Sequence, residues 1–363
     1  MIFSKTIKSK MLLLIFLLSA MALLAQAPSG YYNAAMGKQK DALKTALHEI
    51  IKGHTQLRYL SMPTYFQKTD WHPATDNYPN GYYWDMYSDN KFTSWTGSSM
   101  NREHSLPKSW FGIKGGEEDT APIGSDIHNL FPSNSNVNSE KSNYALGIAG
   151  NSVILSQYNS RCKVGQNTFP GYNGIIFEPS DEFKGDFART FMYMVTRYED
   201  YDRTWQSTGT SSMLQQNKYP VFNNYAVNLL LQWHRNDPVS EKEIVRNNEA
   251  YKLQKNRNPF VDFPVLAEYI WGEYKGSVWN GGTGEPEDKT LRIKYNNESK
   301  SIEFDIQETE NSTYAIYNAQ GERKEFRRMP QNKTISIAEY QNGIYIVSVY
   351  TANVRKTAKF VKY

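Results

Sequence analysis

The chain has 363 residues, of which 39% are hydrophobic and 21% charged, and this composition excludes a wholly disordered protein. Its formal net charge is +4, and subtracting Lys5, Lys8 and Lys10, which lie in a predicted export signal, leaves about +1, too little for a basic surface all round the molecule. The single cysteine, Cys162, excludes an internal disulfide, so the protein must be held together by its core.

Residues 1–25 are predicted to be a signal peptide, with lysines first, then an apolar run at Met11–Leu18, then small residues. Cleavage after Ala25 and cleavage after Ala27 both fit; the first is preferred because Pro28 would hinder the second. The alternative is an uncleaved membrane anchor, but the apolar run is shorter than the ~20 residues that a membrane span needs. The sequence therefore predicts an exported chain without a membrane span after processing.

Residues 31–276 are predicted to form one mainly helical domain, because apolar residues recur there at helical spacing. Ser240 is predicted to cap one helix, with Glu243 in its first turn. Short strands are expected near the aromatic stretch 78–95 and at 147–154. The predicted helices are 31–59, 187–198, 223–233, 240–253 and 266–271.

Two segments at the centre of this domain contain the residues best suited to catalysis. The first has Arg102, Glu103 and His104 side by side, and Pro107 prevents it from continuing as a helix. The second, 126–143, is rich in asparagine and ends in a predicted short helix at 136–143. The expected order is strand, loop, strand and helix, closing on one metal ion.

These residue types suit the hydrolysis of a phosphodiester, which needs a base for water, a divalent cation and positive charge near the phosphate. His104 could be the base, and Glu103 and Asn138 could be oxygen ligands for Mg²⁺. Arg102 and Lys141 could hold the phosphate. His128 is expected to pack rather than to bind substrate, whereas Asn129 could either orient a ligand or shape the turn.

Together these segments resemble the bacterial endonuclease I family over about residues 35–275. That resemblance implies a mainly helical fold around a ββα-metal site, with His104 as general base, Glu103 and Asn138 as metal ligands, and Arg102 on phosphate. Family members also place an arginine between the two segments, where this chain has only Lys108 and Lys114 as cations. The matching stretches are 101–109, 126–132, 137–138, 142–143, 177–179, 181–186, 233–234, 237–240 and 256–262.

The remainder of the chain has a different pattern. Residues 277–289 are a polar, glycine-containing linker, and 290–363 alternate apolar and polar residues between glycine and asparagine turns, which predicts a small β-sandwich. Asn342–Val347, with the basic stretch 356–362, resembles the sorting domain of type IX secretion cargo. That resemblance implies secretion machinery as a partner and export through the periplasm of a Gram-negative bacterium; a surface- or carbohydrate-binding β-domain is the alternative.

The sequence as a whole predicts an α+β protein: a mainly helical nuclease domain around a ββα-metal site, followed by an all-β sandwich. The predicted function is secreted, nonspecific endonuclease activity on DNA through one metal ion and a histidine base, with RNA left open as a second substrate. Mg²⁺ is the expected cofactor, with Ca²⁺ and Mn²⁺ as alternatives, and the chain is expected to be a monomer. The competing hypothesis is an inactive nuclease fold that serves as a surface or extracellular binding protein.

Overall fold

The computed structural model describes residues 27–205, 212–282, 291–306, 312–318, 323–350 and 355–362. The predicted signal peptide and residues 283–289 of the predicted linker lie outside these ranges. Internal contacts divide the chain into two units, Met1–Pro286 and Glu287–Tyr363. The first is a mixture of helices and short strands and the second is rich in strands, as the sequence predicts. No helix in the described ranges is both long enough and apolar enough to span a bilayer.

The first unit is built around one buried helix. This helix, Lys184–Arg197, is buried along its length, with Phe187 and Phe191 in the main hydrophobic core. The helix Glu241–Gln254 begins with a full capping box between Ser240 and Glu243, as predicted. In chain order the helices are α1 (Lys40–Ile51), α2 (Met62–Thr69), α3 (Ser135–Lys141), α4 (Lys184–Arg197), α5 (Asn224–Asn236), α6 (Glu241–Gln254), α7 (Pro259–Asp262) and α8 (Leu266–Ile270).

The predicted helix at 31–59 was wrong in its extent, because only α1 is an α-helix within that stretch. Gly37 has a φ of +75°, and Gln39, just before α1, is extended. Neither conformation is helical, so α1 cannot extend back to residue 31. In the aromatic stretch 78–95, only Tyr82–Tyr83 forms a strand.

The strands of the first unit are short and pair in three groups. β1 pairs with β2, β3 pairs with β4, and the four others form a sheet in the order β5-β8-β7-β6. The pair β3–β4 is antiparallel, with Met100 opposite Asn134 and His104 opposite Leu130. In chain order the strands are β1 (Trp71–His72), β2 (Tyr82–Tyr83), β3 (Met100–His104), β4 (Leu130–Asn134), β5 (Ala145–Leu146), β6 (Ala149–Ile154), β7 (Lys163–Asn167) and β8 (Ile175–Glu178).

The second unit contains two antiparallel sheets around one core. One sheet has the order β13-β10-β9 and the other β12-β11-β14-β15. Phe304 on β10 and Tyr314 on β11 belong to the same buried cluster, with ring centroids 5.8 Å apart, so the sheets face each other. The strands are β9 (Leu291–Asn296), β10 (Ser301–Ile306), β11 (Thr313–Asn318), β12 (Arg323–Arg328), β13 (Thr334–Ser336), β14 (Gly343–Tyr350) and β15 (Arg355–Lys362).

A buried polar network joins α4 and α6 to the loop before β4. The carboxylate of Asp126 accepts hydrogen bonds from the hydroxyls of Tyr193 and Tyr198 and from Gln254 Nε2, each at 2.8 Å. Burial alone would raise the pKa of Asp126, but neighbouring His54 and His128 and these hydrogen bonds lower it to about 2. The network positions the loop that leads into β4.

Buried histidines make the fold sensitive to acid. Burial lowers the pKa of His128 and of His234 to about 4, whereas an unfolded histidine titrates near 6.5. Between pH 6.5 and 4 the unfolded chain therefore binds protons that the folded chain excludes, and stability falls as the pH falls, by up to about 3 kcal/mol for each imidazole.

This loss can be measured by urea denaturation at pH 7 and pH 5. We expect a lower free energy of unfolding at pH 5, and a shallower pH dependence in His234→Gln, whose amide can still donate to the Pro264 carbonyl. Equal stability of the wild-type protein at the two pH values would contradict this account.

Candidate active site

The candidate site is built on β3, β4 and α3. β3 carries Glu103 and His104, and β4 runs directly into α3, whose first turns carry Asn138. Asn134 caps α3, because its side-chain oxygen accepts hydrogen bonds from the backbone nitrogens of Asn136 and Val137. The order strand, loop, strand and helix is therefore present as expected.

A cavity of about 480 Å³ opens beside these elements. Arg102, Glu103, His104 and Asn138 all line it, although Asn138 is more than 30 positions away from the others in sequence. The structure thus places on one cavity four of the five residues to which the sequence assigns chemistry; the fifth, Lys141, does not line it. The remaining lining residues are Tyr59, Trp95, Gly97, Met100, Asn101, Pro107, Lys108, Ser109, Ser142 and Asn143.

His104 is held as a neutral imidazole with a defined tautomer. Its Nε2 atom lies 2.8 Å from the backbone oxygen of Gly124. A carbonyl oxygen can only accept a hydrogen bond, so Nε2 carries the proton and Nδ1 has a free lone pair. Burial lowers the pKa of His104 to about 4, and the ring of Tyr59 stacks on it with centroids 5.8 Å apart. Nδ1 is therefore the atom that can accept a proton.

Glu103 is fixed by a buried ion pair. Lys141 Nζ donates to Glu103 Oε1 at 2.7 Å, and the Lys141 residue is 0% exposed. Burial raises the pKa of the Glu103 carboxyl, and the neighbouring ammonium offsets part of this rise. The expectation that Lys141 would hold phosphate was wrong, because its amine is enclosed with Glu103 and points away from solvent.

Arg102 lines the cavity and packs on an aromatic ring. Its guanidinium carbon lies 4.7 Å from the centroid of the Tyr59 ring, which orients the side chain. Its Nε atom is buried and has no hydrogen-bond partner among the described residues. Any contact between Arg102 and a ligand in the cavity would therefore involve the terminal guanidinium nitrogens, because Nε is not accessible.

Lys108 is the second cation of the cavity. It forms an ion pair with Glu118, whose other oxygen accepts a hydrogen bond from the Gly116 nitrogen at 2.9 Å. Lys114, the other cation between the two segments, does not line the cavity. Sequence reasoning left open which of the two lies near the site, because both occur in the same loop.

The donor set suits a hard cation that keeps part of its water. No group of three or more His, Cys, Asp or Glu side chains that could hold a metal occurs in the described part of the chain. One carboxylate and one amide oxygen could serve a hard cation that also binds water and substrate oxygens.

Neighbouring residues fix the turn after β3. Asn129 Oδ1 accepts from the Leu106 nitrogen at 2.8 Å, and its Nδ2 donates to the Leu106 oxygen at 3.0 Å, so Asn129 shapes the turn. His128 is buried against Tyr193, with ring centroids 4.6 Å apart, and packs as expected. Sequence reasoning missed the roles of Tyr59 and Gly124, because no motif connects them to the site.

Comparison with known sequences agrees with the site. The sequence model of the family described as Endonuclease I matches residues 39–265, which is more than half of the chain. The chain belongs to the endonuclease I family. The model described as secretion system C-terminal sorting domain matches residues 286–363.

Several named relatives of this endonuclease are exported proteins. The "Extracellular ribonuclease" of Bacillus amyloliquefaciens is 37% identical over 252 residues, covering 66% of this chain and 78% of that protein. The protein of the same name from Bacillus subtilis (strain 168) is 34% identical over 249 residues, with the same coverage. An "Extracellular deoxyribonuclease" of Aeromonas hydrophila is 28% identical over 137 residues, covering 38% of this chain and 48% of that protein.

Family membership and the sorting domain together define the general activity. The chain is a secreted nuclease that hydrolyses nucleic acid, and its sorting domain implies recognition by secretion machinery. The endonuclease I family is generally metal-dependent. The predicted catalytic side chains are present and line one cavity, which disfavours the competing hypothesis of an inactive binding protein.

Proposed function

We propose that this member of the endonuclease I family cleaves phosphodiesters with His104 as general base and with one divalent cation held by Glu103 and Asn138. The observation that carries the proposal is the convergence of these three residues on one cavity, with His104 Nε2 fixed by Gly124. In this arrangement Nδ1 accepts a proton from the attacking water. The new P–O bond forms as the bond to the leaving oxygen breaks.

The bound cation, Mg²⁺ in our proposal with Ca²⁺ and Mn²⁺ as alternatives, would stabilise the charge on the phosphate and on the leaving oxygen. Lys141 fixes the Glu103 carboxylate at Oε1. A carboxylate has about four lone-pair positions, so this pairing leaves capacity for a metal. Asn138 adds a neutral oxygen donor and no further negative charge, which favours the approach of a polyanion.

Arg102 and Lys108 would hold the phosphate from the protein side. Arg102 lines the cavity, so the terminal nitrogens of its guanidinium would supply positive charge to a phosphate oxygen. Lys108 is in our proposal the cation that supports the leaving group, in place of the arginine that relatives carry. These contacts involve phosphate rather than base, so little sequence preference is expected.

We propose that both DNA and RNA are cleaved. Relatives named as ribonucleases and relatives named as deoxyribonucleases match the chain, and the former match over a longer stretch. We further propose a signal peptide at 1–25, a nuclease domain at 31–276 built on a ββα-metal site, a linker at 277–289 and a type IX sorting domain at 290–363. In this scheme the secreted protein acts as a monomer.

Incubation of purified protein with plasmid DNA and with a structured RNA, each with and without EDTA, tests the proposal. We expect both substrates to be cut in Mg²⁺ and both to be protected by EDTA, because EDTA removes the cation that would stabilise the charge on the phosphate. Adding Mn²⁺ or Ca²⁺ after chelation would establish which ions support activity. Equal cutting in EDTA would contradict the metal role, and no cutting under any condition would favour the binding-protein alternative.

Two lysines of one loop form a matched pair for the leaving-group role. We expect Lys108→Ala to lower kcat by roughly 10- to 100-fold, because a positive charge near the developing negative charge is lost. Lys114→Ala, outside the cavity, should retain wild-type kcat. Steady-state cleavage of an oligonucleotide measures both, and equal kcat values for the two variants would remove Lys108 from the mechanism.

A further inference from the structure

Trp95 is a cavity residue that the proposed chemistry does not use. The residue is half-buried and lines the cavity together with Arg102 and His104. Its ring packs on Phe66 at a centroid distance of 5.9 Å and on Tyr83 at 5.7 Å. Two aromatic neighbours therefore fix the indole, and the residue remains partly accessible in the cavity.

The position of Trp95 along the cavity is set by β3. Trp95 is followed by Thr96, whose backbone oxygen accepts a hydrogen bond from the Met100 nitrogen at 2.9 Å, so Trp95 lies near the end of β3 opposite His104. The four-residue step from Met100 to His104 corresponds to about 13 Å of strand. Gly97, two residues further on, also lines the cavity and has no atom within 4 Å of where a Cβ would lie, so the space at Gly97 is open.

The surroundings suit a nucleotide next to the cleaved one. Arg102 and Lys108 supply positive charge for phosphates within the cavity. Tyr59 also lines the cavity, but its ring already contacts Arg102 and His104. A fixed and partly exposed indole beside a cationic groove is the combination that binds single strands, in which bases stack on aromatic side chains.

We propose that Trp95 is a stacking surface for an unpaired nucleobase near the cleaved phosphate, so that single strands bind better than duplexes. The inference rests on the proposed function for the location of the cleaved bond. In a duplex both faces of an internal base are covered by its neighbours, whereas a single strand can offer one face to Trp95. Trp95 thus contributes to the choice of substrate form and takes no part in proton transfer.

Binding without cleavage provides the test. Fluorescence anisotropy in EDTA would compare a labelled single-stranded DNA oligonucleotide with a series in which one nucleoside at a time is abasic. We expect one or two abasic positions to weaken binding by wild-type protein about tenfold, the effect of losing one stacked base. Trp95→Leu should bind the intact oligonucleotide about tenfold more weakly and show no further loss with the abasic ones.

Two variants separate stacking from folding. Trp95→Phe should recover most of the lost affinity, because it keeps an aromatic face. Trp71→Leu is the matched control, since Trp71 also packs on Tyr83 but does not line the cavity, and it should bind like wild type.

The proposal is overturned if wild type binds every abasic oligonucleotide as tightly as the intact one. Additive losses from Trp95→Leu and the abasic position would overturn it as well. Cleavage of the intact oligonucleotide in Mg²⁺ is scored separately. A protein that shows the stacking effect but never cleaves would refute the proposed function and leave only the stacking role of Trp95 standing.

Discussion

His104→Ala is expected to lower kcat for nucleic-acid cleavage by about 10²- to 10⁴-fold, the usual contribution of a general base. The reason is the loss of Nδ1, the basic atom that the hydrogen bond from Nε2 to Gly124 leaves available. KM should change little, because His104 is not proposed to hold the phosphate. The measurement is steady-state cleavage of a fluorogenic oligonucleotide in Mg²⁺.

A control and a rescue separate chemistry from folding in this variant. His72→Ala removes an imidazole that does not line the cavity and should keep wild-type kcat. Exogenous imidazole should restore part of the activity of His104→Ala, because it can enter the space left by the ring and accept the proton. A fully active His104→Ala protein would exclude His104 as the base.

Lys141→Met is expected to destabilise the fold by about 3–5 kcal/mol, because it leaves the buried Glu103 carboxylate without its cation. The double variant Glu103→Leu with Lys141→Met should recover much of this stability, since no unpaired charge remains in the interior. The double variant should nevertheless be inactive, because it lacks the proposed metal ligand. Urea denaturation and cleavage assays measure the two effects independently.

A second buried ion pair provides the comparison. Lys44 pairs with Glu199 at 2.8 Å, and the lysine is fully buried, as Lys141 is. Lys44→Met should lower stability by a similar amount and leave kcat of the folded protein unchanged, because neither partner lines the cavity. If the double variant at Glu103 and Lys141 cleaved as well as Lys44→Met, Glu103 could not be a metal ligand.

The arrangement of the site could be predicted where its residues are close in sequence. Arg102, Glu103 and His104 are neighbours on one strand, and a stretch from Leu130 to Lys141 forms a strand and then a helix. The alternation of side chains along a strand and the capping of a helix depend on neighbouring residues, so a sequence pattern can specify them. The alternating pattern of the second unit predicted its strands for the same reason.

Contacts between distant parts of the chain were not predictable. Tyr59 reaches His104 and Arg102 across more than 40 positions, and Lys141 reaches Glu103 across 38. No residue pattern distinguishes a lysine that contacts phosphate from one that is buried against a carboxylate. The packing of the surrounding chain determines which of the two occurs. The predicted start of α1 was also wrong, because Gly37 lies before the helix with a positive φ that the apolar spacing does not reveal.

The most direct test of the central claim is an anomalous difference map from crystals soaked in Mn²⁺. We expect a single strong peak in the cavity, about 2.0–2.3 Å from a Glu103 carboxylate oxygen and from Asn138 Oδ1, with His104 Nδ1 facing the same space. A map in which manganese binds elsewhere, or in which Glu103 and Asn138 do not share an ion, would contradict the account.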